Sequence, residues 1–333
     1  AGKFKKEPAK NDLKSNLTVE DSQETFQVFN DHVNLIFSKK EGRVVSYKFN
    51  KKELIKDRKG LKPNFWRAVT DNDFGSKMDK NNIEWKTASL RSEVIKFEHK
   101  ELDNGAINFE VIYNLPGVQT TFISNYTMFG DGVLKIENTL NESDYKGDIP
   151  RIGMRMQLPK EYENLSYFGR GPWENYQDRN AAAFVDVYTS KVKDQYVPYI
   201  RPQDNGYKTD TRWLAFSNEK HQGLLIATGS TNLLSFSALH MENEDFDTTD
   251  GIDYENSNMS KHTIDIKEKN LVQVNIDLGQ RGVAGDDSWK SKPQEKYQYK
   301  GIDKHTYSFY LVPFENKTEI DFIKLSKYYI GQE

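Results

Sequence analysis

Val272-Gln273-Val274-Asn275-Ile276-Asp277-Leu278 alternates apolar and polar side chains without a break. Successive side chains of a strand point to opposite faces, so this period of two predicts a strand with one buried face. The pattern recurs along the chain. Ile107, Phe109, Val111 and Tyr113 repeat it, as do Leu134, Ile136 and Leu140 between Lys135, Glu137 and Thr139. Tyr307, Phe309 and Leu311 repeat it near the end. Gly130-Asp131-Gly132 separates two such runs and has the chemistry of a tight hairpin turn. Helical periodicity is scarce. The one candidate follows Thr318, where Ile320, Ile323 and Tyr328 share a face. Residues 1–16 are Lys-rich and read as a linker or an N-terminal strap. From Leu17 onward no Pro/Gly/Ser-rich linker and no fixed repeat divides the chain. Residues 17–333 are therefore expected to form one all-β domain of large stacked antiparallel sheets, nearly continuous from Leu17 to Phe314.

Composition narrows the function. Of 333 residues, 36% are apolar and 13% aromatic, enough to bury a core. Basic and acidic residues nearly balance, 47 against 50, which gives no electrostatic reason to expect nucleic acid as partner. With no cysteine, disulfides, thiolate metal sites and cysteine nucleophiles are excluded. No apolar run approaches membrane-spanning length, so no membrane partner is expected, and no leader segment is recognised at Ala1. The six histidines show no close metal-binding spacing. Asp71-Asn72-Asp73 has the composition of a calcium loop but lacks its ligand spacing and terminal Glu.

Four segments break the strand pattern with dense Gly, Asp, Asn, Arg and Trp. They run from Asn64 to Gly75, from Tyr167 to Arg179, from Pro198 to Trp213, and from Gly282 to Trp289. Loops of this kind on a rigid β scaffold commonly carry binding. Aromatic rings can cover the C–H faces of a sugar, while Asp, Asn and Arg bond its hydroxyls. The same residues are also ordinary turn formers, and Arg170 and Arg179 could pair with Glu174 or Asp178 to hold loops together.

At these segments the chain resembles the C-terminal domain of the family 2 β-galactosidases. FWRAVTDNDFG (65–75), GRGPWENYQDR (169–179), PYIRPQDNGYKTDTRW (198–213) and GVAGDDSW (282–289) resemble four family motifs, in order and at similar spacing. IPRIGMRMQLP (149–159) is also similar. Val69 stands where the family usually has Pro, Asp204 where it has Glu, Lys208 where it has Arg, and Ala284 where it has Gly.

The resemblance implies a β-supersandwich similar to galactose mutarotases. It implies hydrolysis of terminal β-D-galactosides by two glutamates about 5–5.5 Å apart. Those glutamates and the family's Mg²⁺ belong to a (β/α)₈ barrel whose alternating signature this sequence lacks. The chain is then expected to be a piece of that enzyme, without catalytic residue, metal or cofactor of its own. Its partner is expected to be the barrel domain or large chain, with the galactoside at a shared site. Trp289 is expected to reach substrate, while Arg67, Asp71, Asn72, Asp73, Gly75, Asp286 and Asp287 belong to loops beside the site. Arg170, Glu174, Asn175, Arg179, Gln203 and Arg212 are expected to brace the loops. Arg67 to Asn82 reads as a weakly held loop, because Gly75 frees the backbone and Val69 lacks the restraint of Pro; a core-packed turn on Phe65 and Trp66 is the alternative. Two other functions remain open, a free-standing aldose epimerase and a carbohydrate-binding or purely structural module.

Overall fold

The computed structural model describes residues 16–229, 231–247, 261–283, 287, 291–316 and 319–329, with side chains in the last stretch for 321–327. The expected strap at the N-terminus thus lies outside the described residues, apart from residue 16.

Five strands open the fold as a sequential antiparallel meander: β1 (Thr18–Asp21), β2 (Thr25–Phe29), β3 (Val33–Ser38), β4 (Arg43–Phe49) and β5 (Lys52–Glu53). After β6 (Lys62–Asn64) come three short helices, α1 (Asp71–Gly75), α2 (Met78–Asn81) and α3 (Ile83–Leu90). A second meander follows: β7 (Glu93–Glu101), β8 (Ile107–Leu115), β9 (Thr120–Met128) and β10 (Leu134–Leu140). Then come β11 (Asp148–Ile149), β12 (Arg151–Leu158), β13 (Asn164–Gly171), β14 (Phe184–Lys191) and β15 (Lys208–Thr211). The rest are β16 (Trp213–Ser217), β17 (Gln222–Thr228), β18 (Leu234–Leu239), α4 (Asn243–Phe246), β19 (Val272–Gln280), β20 (Tyr299–Lys300), β21 (His305–Glu315) and α5 (Glu319–Tyr329).

The largest sheet has nine strands in the order β14-β13-β16-β17-β21-β10-β9-β8-β7. A five-stranded sheet runs β15-β18-β19-β12-β6, and β11 pairs with β20. One continuous core holds the sheets together. Phe26 of the first meander meets Phe109 of the nine-stranded sheet at 5.2 Å between ring centroids. Tyr167 of that sheet meets Phe236 of the five-stranded sheet at 5.2 Å. Each pair buries large apolar area, the main favourable term in folding. On the outer face of the nine-stranded sheet, Phe322 of α5 covers Trp213 and Phe314, so the expected terminal helix forms. The expected hairpin joins β9 to β10, and Gly132 there takes φ +93°, which a side chain would strain.

The structure departs from the sequence reading in two places. β19 is buried on both faces, not one, because Gln273, Asn275 and Asp277 are covered as fully as their apolar neighbours. Their polar groups bond one another's neighbours instead of water. Gln157 donates to Gln273 at 3.0 Å, and Asn275 donates to Ser237 at 2.9 Å while accepting from Asn64 at 3.1 Å. The second departure is α1 to α3, where the sequence predicted loop or strand. Thr70 caps α1 by accepting from the Asp73 N–H at 3.2 Å, and Asp73 answers from the Thr70 N–H at 3.1 Å. Trp85 of α3 then packs on Phe65 with centroids 5.6 Å apart, anchoring the segment in the core.

Gly153 sits at a bulge in the β12–β19 pairing, and a Cβ there would lie 1.8 Å from the Asp277 Oδ1. Gly153→Ala should therefore cost about 1–3 kcal/mol by overpacking. The check is a urea melt, in which the midpoint falls while the slope is kept.

Candidate functional site

The four polar segments, far apart in sequence, converge at one end of the five-stranded sheet. A pocket of about 170 Å³ lies between them, lined by Thr70, Asp71 and Asn72 from the first segment and Tyr176 and Arg179 from the second. Tyr199, Gln203 and Asp204 from the third and Val283 from the fourth complete it. Cross-links between segments set its shape. The Asp71 N–H donates to Gln203 Oε1 at 3.2 Å, and Arg201 pairs with Asp71 at 3.1 Å. Asn72 Nδ2 donates to the Val283 carbonyl at 3.0 Å, while the Val283 N–H donates to Asp178 at 3.1 Å. The Tyr199 hydroxyl donates to Glu174, and Arg179 pairs with the same carboxylate at 2.7 Å. Tyrosine faces beside carboxamides and carboxylates are the groups a sugar ring requires.

Beneath the pocket lies a buried ionic lattice. Arg67 binds Asp73 through two parallel bonds, Nε to Oδ2 at 3.0 Å and Nη2 to Oδ1 at 2.8 Å. Its remaining donors reach Gln280, the Arg281 carbonyl at 2.7 Å and the Gly282 carbonyl at 3.0 Å. Arg281 pairs with Asp148 at 2.8 Å. Arg151 lies 3.1 Å from Asp277 and 3.3 Å from Asp204, and Tyr176 and Tyr207 each donate a hydroxyl to one of these carboxylates at 3.0 Å. Three guanidinium groups thus face four carboxylates. Burial works against the Asp73 charge, yet Arg67 and Arg281 together hold its carboxyl below the usual range. At Asp204 burial outweighs Arg151 and Arg67 and holds its carboxyl above the usual range; at Asp277 burial outweighs Arg151 and lifts it to about 7.

The residues named from the sequence fall into three groups. Asp71, Asn72, Gln203 and Arg179 line the pocket. Arg67 and Asp73 lie under it, fully buried, so the segment from Arg67 to Asn82 is the core-packed alternative and not a weakly held loop. Gly75 needs no special backbone, since it ends α1 in helical form and the left-handed position falls on Lys77 at φ 60°. Glu174, Asn175, Arg170 and Arg212 brace the rim. Asn175 Oδ1 accepts from the Thr209 N–H at 3.0 Å, Glu174 accepts from the Gly206 N–H at 2.9 Å, and Arg212 covers the Phe168 ring at 5.2 Å. Arg170 pairs with Asp210, not with Glu174 or Asp178. Asp287 is exposed, whereas Asp286 and Trp289 lie outside the described residues. The sequence reading gave no site role to Tyr176, Tyr199, Asp204, Arg151, Asp277 or Arg281, and named Asp204 only as a departure from the family pattern. The first four lie within quoted stretches, where an aromatic or charged residue beside a named one was the available signal. Among the described residues no group of His, Asp and Glu is gathered as for a metal ion.

Residues 29–311 match the family model described as the β-galactosidase small chain. A β-galactosidase of Priestia megaterium is 34% identical over 301 residues, 89% of this chain and 27% of the relative. A β-galactosidase of Streptococcus thermophilus is 26% identical over 303 residues, 90% of this chain and 28% of the relative. The chain spans about a quarter of the length of these curated relatives. Among solved structures, galactose 1-epimerase from Lactobacillus acidophilus NCFM superposes with a TM-score of 0.51 over 92% of this chain and 100% of its own, at 7% identity. That likeness is one of fold: the all-β architecture is galactose mutarotase-like.

The lattice has opposite pH dependences built in. Asp73, held low, supplies stability present above about pH 4, the ordinary carboxyl range, and lost as pH falls through its folded value. Asp277, raised to about 7, keeps a proton that the unfolded chain releases near pH 4, so its contribution falls as pH climbs from about 4 to 7. Asp277→Asn should flatten the second slope and leave the acid-side loss, as read from denaturation midpoints across pH 3 to 8. Asp73→Ala strands Arg67 and should cost about 3–5 kcal/mol in the same assay.

Proposed function

The chain belongs to the β-galactosidase small-chain family, and from that premise we propose that it forms one wall of the galactoside pocket of a longer β-galactosidase. The supporting observation is the convergence of four segments on a single braced pocket at one end of the sheet. In this reading the bond chemistry belongs to the remainder of the enzyme, where a barrel supplies acid and nucleophile and holds Mg²⁺. This chain supplies recognition. Asp71, Asn72 and Gln203 offer directed hydrogen bonds, and the half-buried Tyr199 offers a ring face. Trp289 stands six positions beyond Val283, whose backbone is held on both sides by Asn72 and Asp178. From that fixed root the indole would cover C–H groups of the sugar, chiefly on the leaving-group side, with Asp286 and Asp287 fixing the loop.

In the full-length enzyme, Trp289→Ala should raise KM on the order of tenfold with kcat nearly kept, the signature of lost uniform binding. A variant that unfolds this domain while the surviving enzyme keeps its kinetics would place Trp289 in the core and refute the assignment. The 333-residue chain alone should not hydrolyse a nitrophenyl β-galactoside, and activity should appear when the remainder of the enzyme is added. Turnover by the chain alone, abolished by a substitution within it, would overturn the division of labour.

A further inference from the structure

A second pocket, sharing no residue with the first, lies farther along the same polar sheet face. It has a volume of about 230 Å³ and is lined by Arg43, Lys59, Lys62 and Arg155, with Gln157, Gln273, Glu242 and Glu244 beside them. Arg155 lies four residues beyond Arg151 on β12, about 13 Å away at the rise of a strand. The two carboxylates are already committed. Glu242 takes Lys59 at 2.8 Å and Lys269 at 2.7 Å, and Glu244 takes Arg155. A third carboxylate near them, Glu41, pairs with Arg58 at 2.6 Å, so Arg43 and Lys62 have no carboxylate within salt-bridge distance among the described residues. Among the described residues Lys62 Nζ reaches only a backbone carbonyl, that of Leu90 at 3.3 Å. The Arg43 Nε is buried and has no hydrogen-bond partner among the described residues. A buried donor without a partner is rare and costly. Here it sits among like charges, and burial together with the neighbouring guanidinium groups of Arg43 and Arg155 lowers Lys62 to about 8. Such an arrangement gains stability as soon as a multivalent anion enters.

We propose that this pocket is an oxyanion site, holding a phosphate group between Arg43, Lys62 and Arg155, with the Gln273 carboxamide, whose Nε2 has no hydrogen-bond partner among the described residues, as a further donor. Guanidinium forks match the oxygens of a tetrahedral anion, and a Lys adds a point charge. The site stands apart from the galactoside pocket and does not depend on the role proposed for it. The anion is either free phosphate or the phosphate of an ester, both of which offer the same oxygens.

The test is calorimetric titration of the 333-residue chain with inorganic phosphate and, in parallel, with a hexose 6-phosphate. Saturable one-site binding is expected, and the tighter of the two ligands identifies the source. Arg43→Gln and Lys62→Gln should each weaken it about tenfold or more, the loss of one charge-assisted bond. Arg43→Lys should keep most of it, and the distant Lys193→Gln should match the parent. Circular dichroism confirms that each variant is folded, and a variant that fails is replaced by Arg43→Met or Lys62→Met, which keeps the apolar stem and removes the charge, with the same loss expected. Absence of saturable binding, or binding that Arg43→Gln and Lys62→Gln leave unchanged, overturns the proposal.

Discussion

A guanidinium withdrawn from water must find partners for all its donors, and Arg67 does so with carboxylate and carbonyl oxygens drawn from two distant segments. Every other feature of the rim depends on this. Asp73 is fixed because Arg67 holds it, α1 starts where it does because Asp73 also caps it, and the carbonyls of Arg281 and Gly282 are drawn to the same point. Arg151 repeats the arrangement one strand away with Asp277 and Asp204. The lattice is no stronger than a well-packed apolar core would be, since desolvation offsets most of its Coulomb gain. What it provides is position: each guanidinium is held by carboxylates drawn from separate parts of the chain.

The polar face of the five-stranded sheet is organised by the same need. Along β19, Asp277 serves the ionic lattice, Asn275 a carboxamide and hydroxyl network, and Gln273 the edge of the cationic pocket. A single row of alternate residues therefore links two pockets that share no lining side chain. The opposite row, Val272, Val274 and Ile276, belongs wholly to the core.

The fold class was legible because period two survives in any strand that keeps one face apolar, and Val272 to Leu278 and Ile107 to Tyr113 keep it. The hairpin at Gly130 to Gly132 was legible because Gly132 takes a left-handed backbone that a side chain would strain. What escaped was tertiary. The burial of Gln273, Asn275 and Asp277 follows from partners at residues 64, 151, 157, 207 and 237, none of them adjacent in sequence. α1 to α3 are too short for a period to declare itself, and their stability comes from Arg67, Phe65 and the capping bonds of Thr70. For the site, the motifs located the segments, but only their convergence separates the pocket-lining Asp71 and Gln203 from the bracing Asn175 and Arg212.

The strand order of the nine-stranded sheet also governs how the chain comes together during synthesis. β21 lies between β17 and β10, so the last of the described strands joins two halves made before it. From Leu140 to His305 is roughly ten to thirty seconds of translation at about 5–20 residues per second. Throughout that interval β10 presents an open edge with an apolar face, and β17 does so from the completion of Thr228, the form in which strands pair with the wrong neighbour. A nascent chain of this family is therefore most dependent on chaperones just before its final strand arrives, and a premature stop near residue 300 leaves two sticky half-sheets in place of a slightly shortened domain.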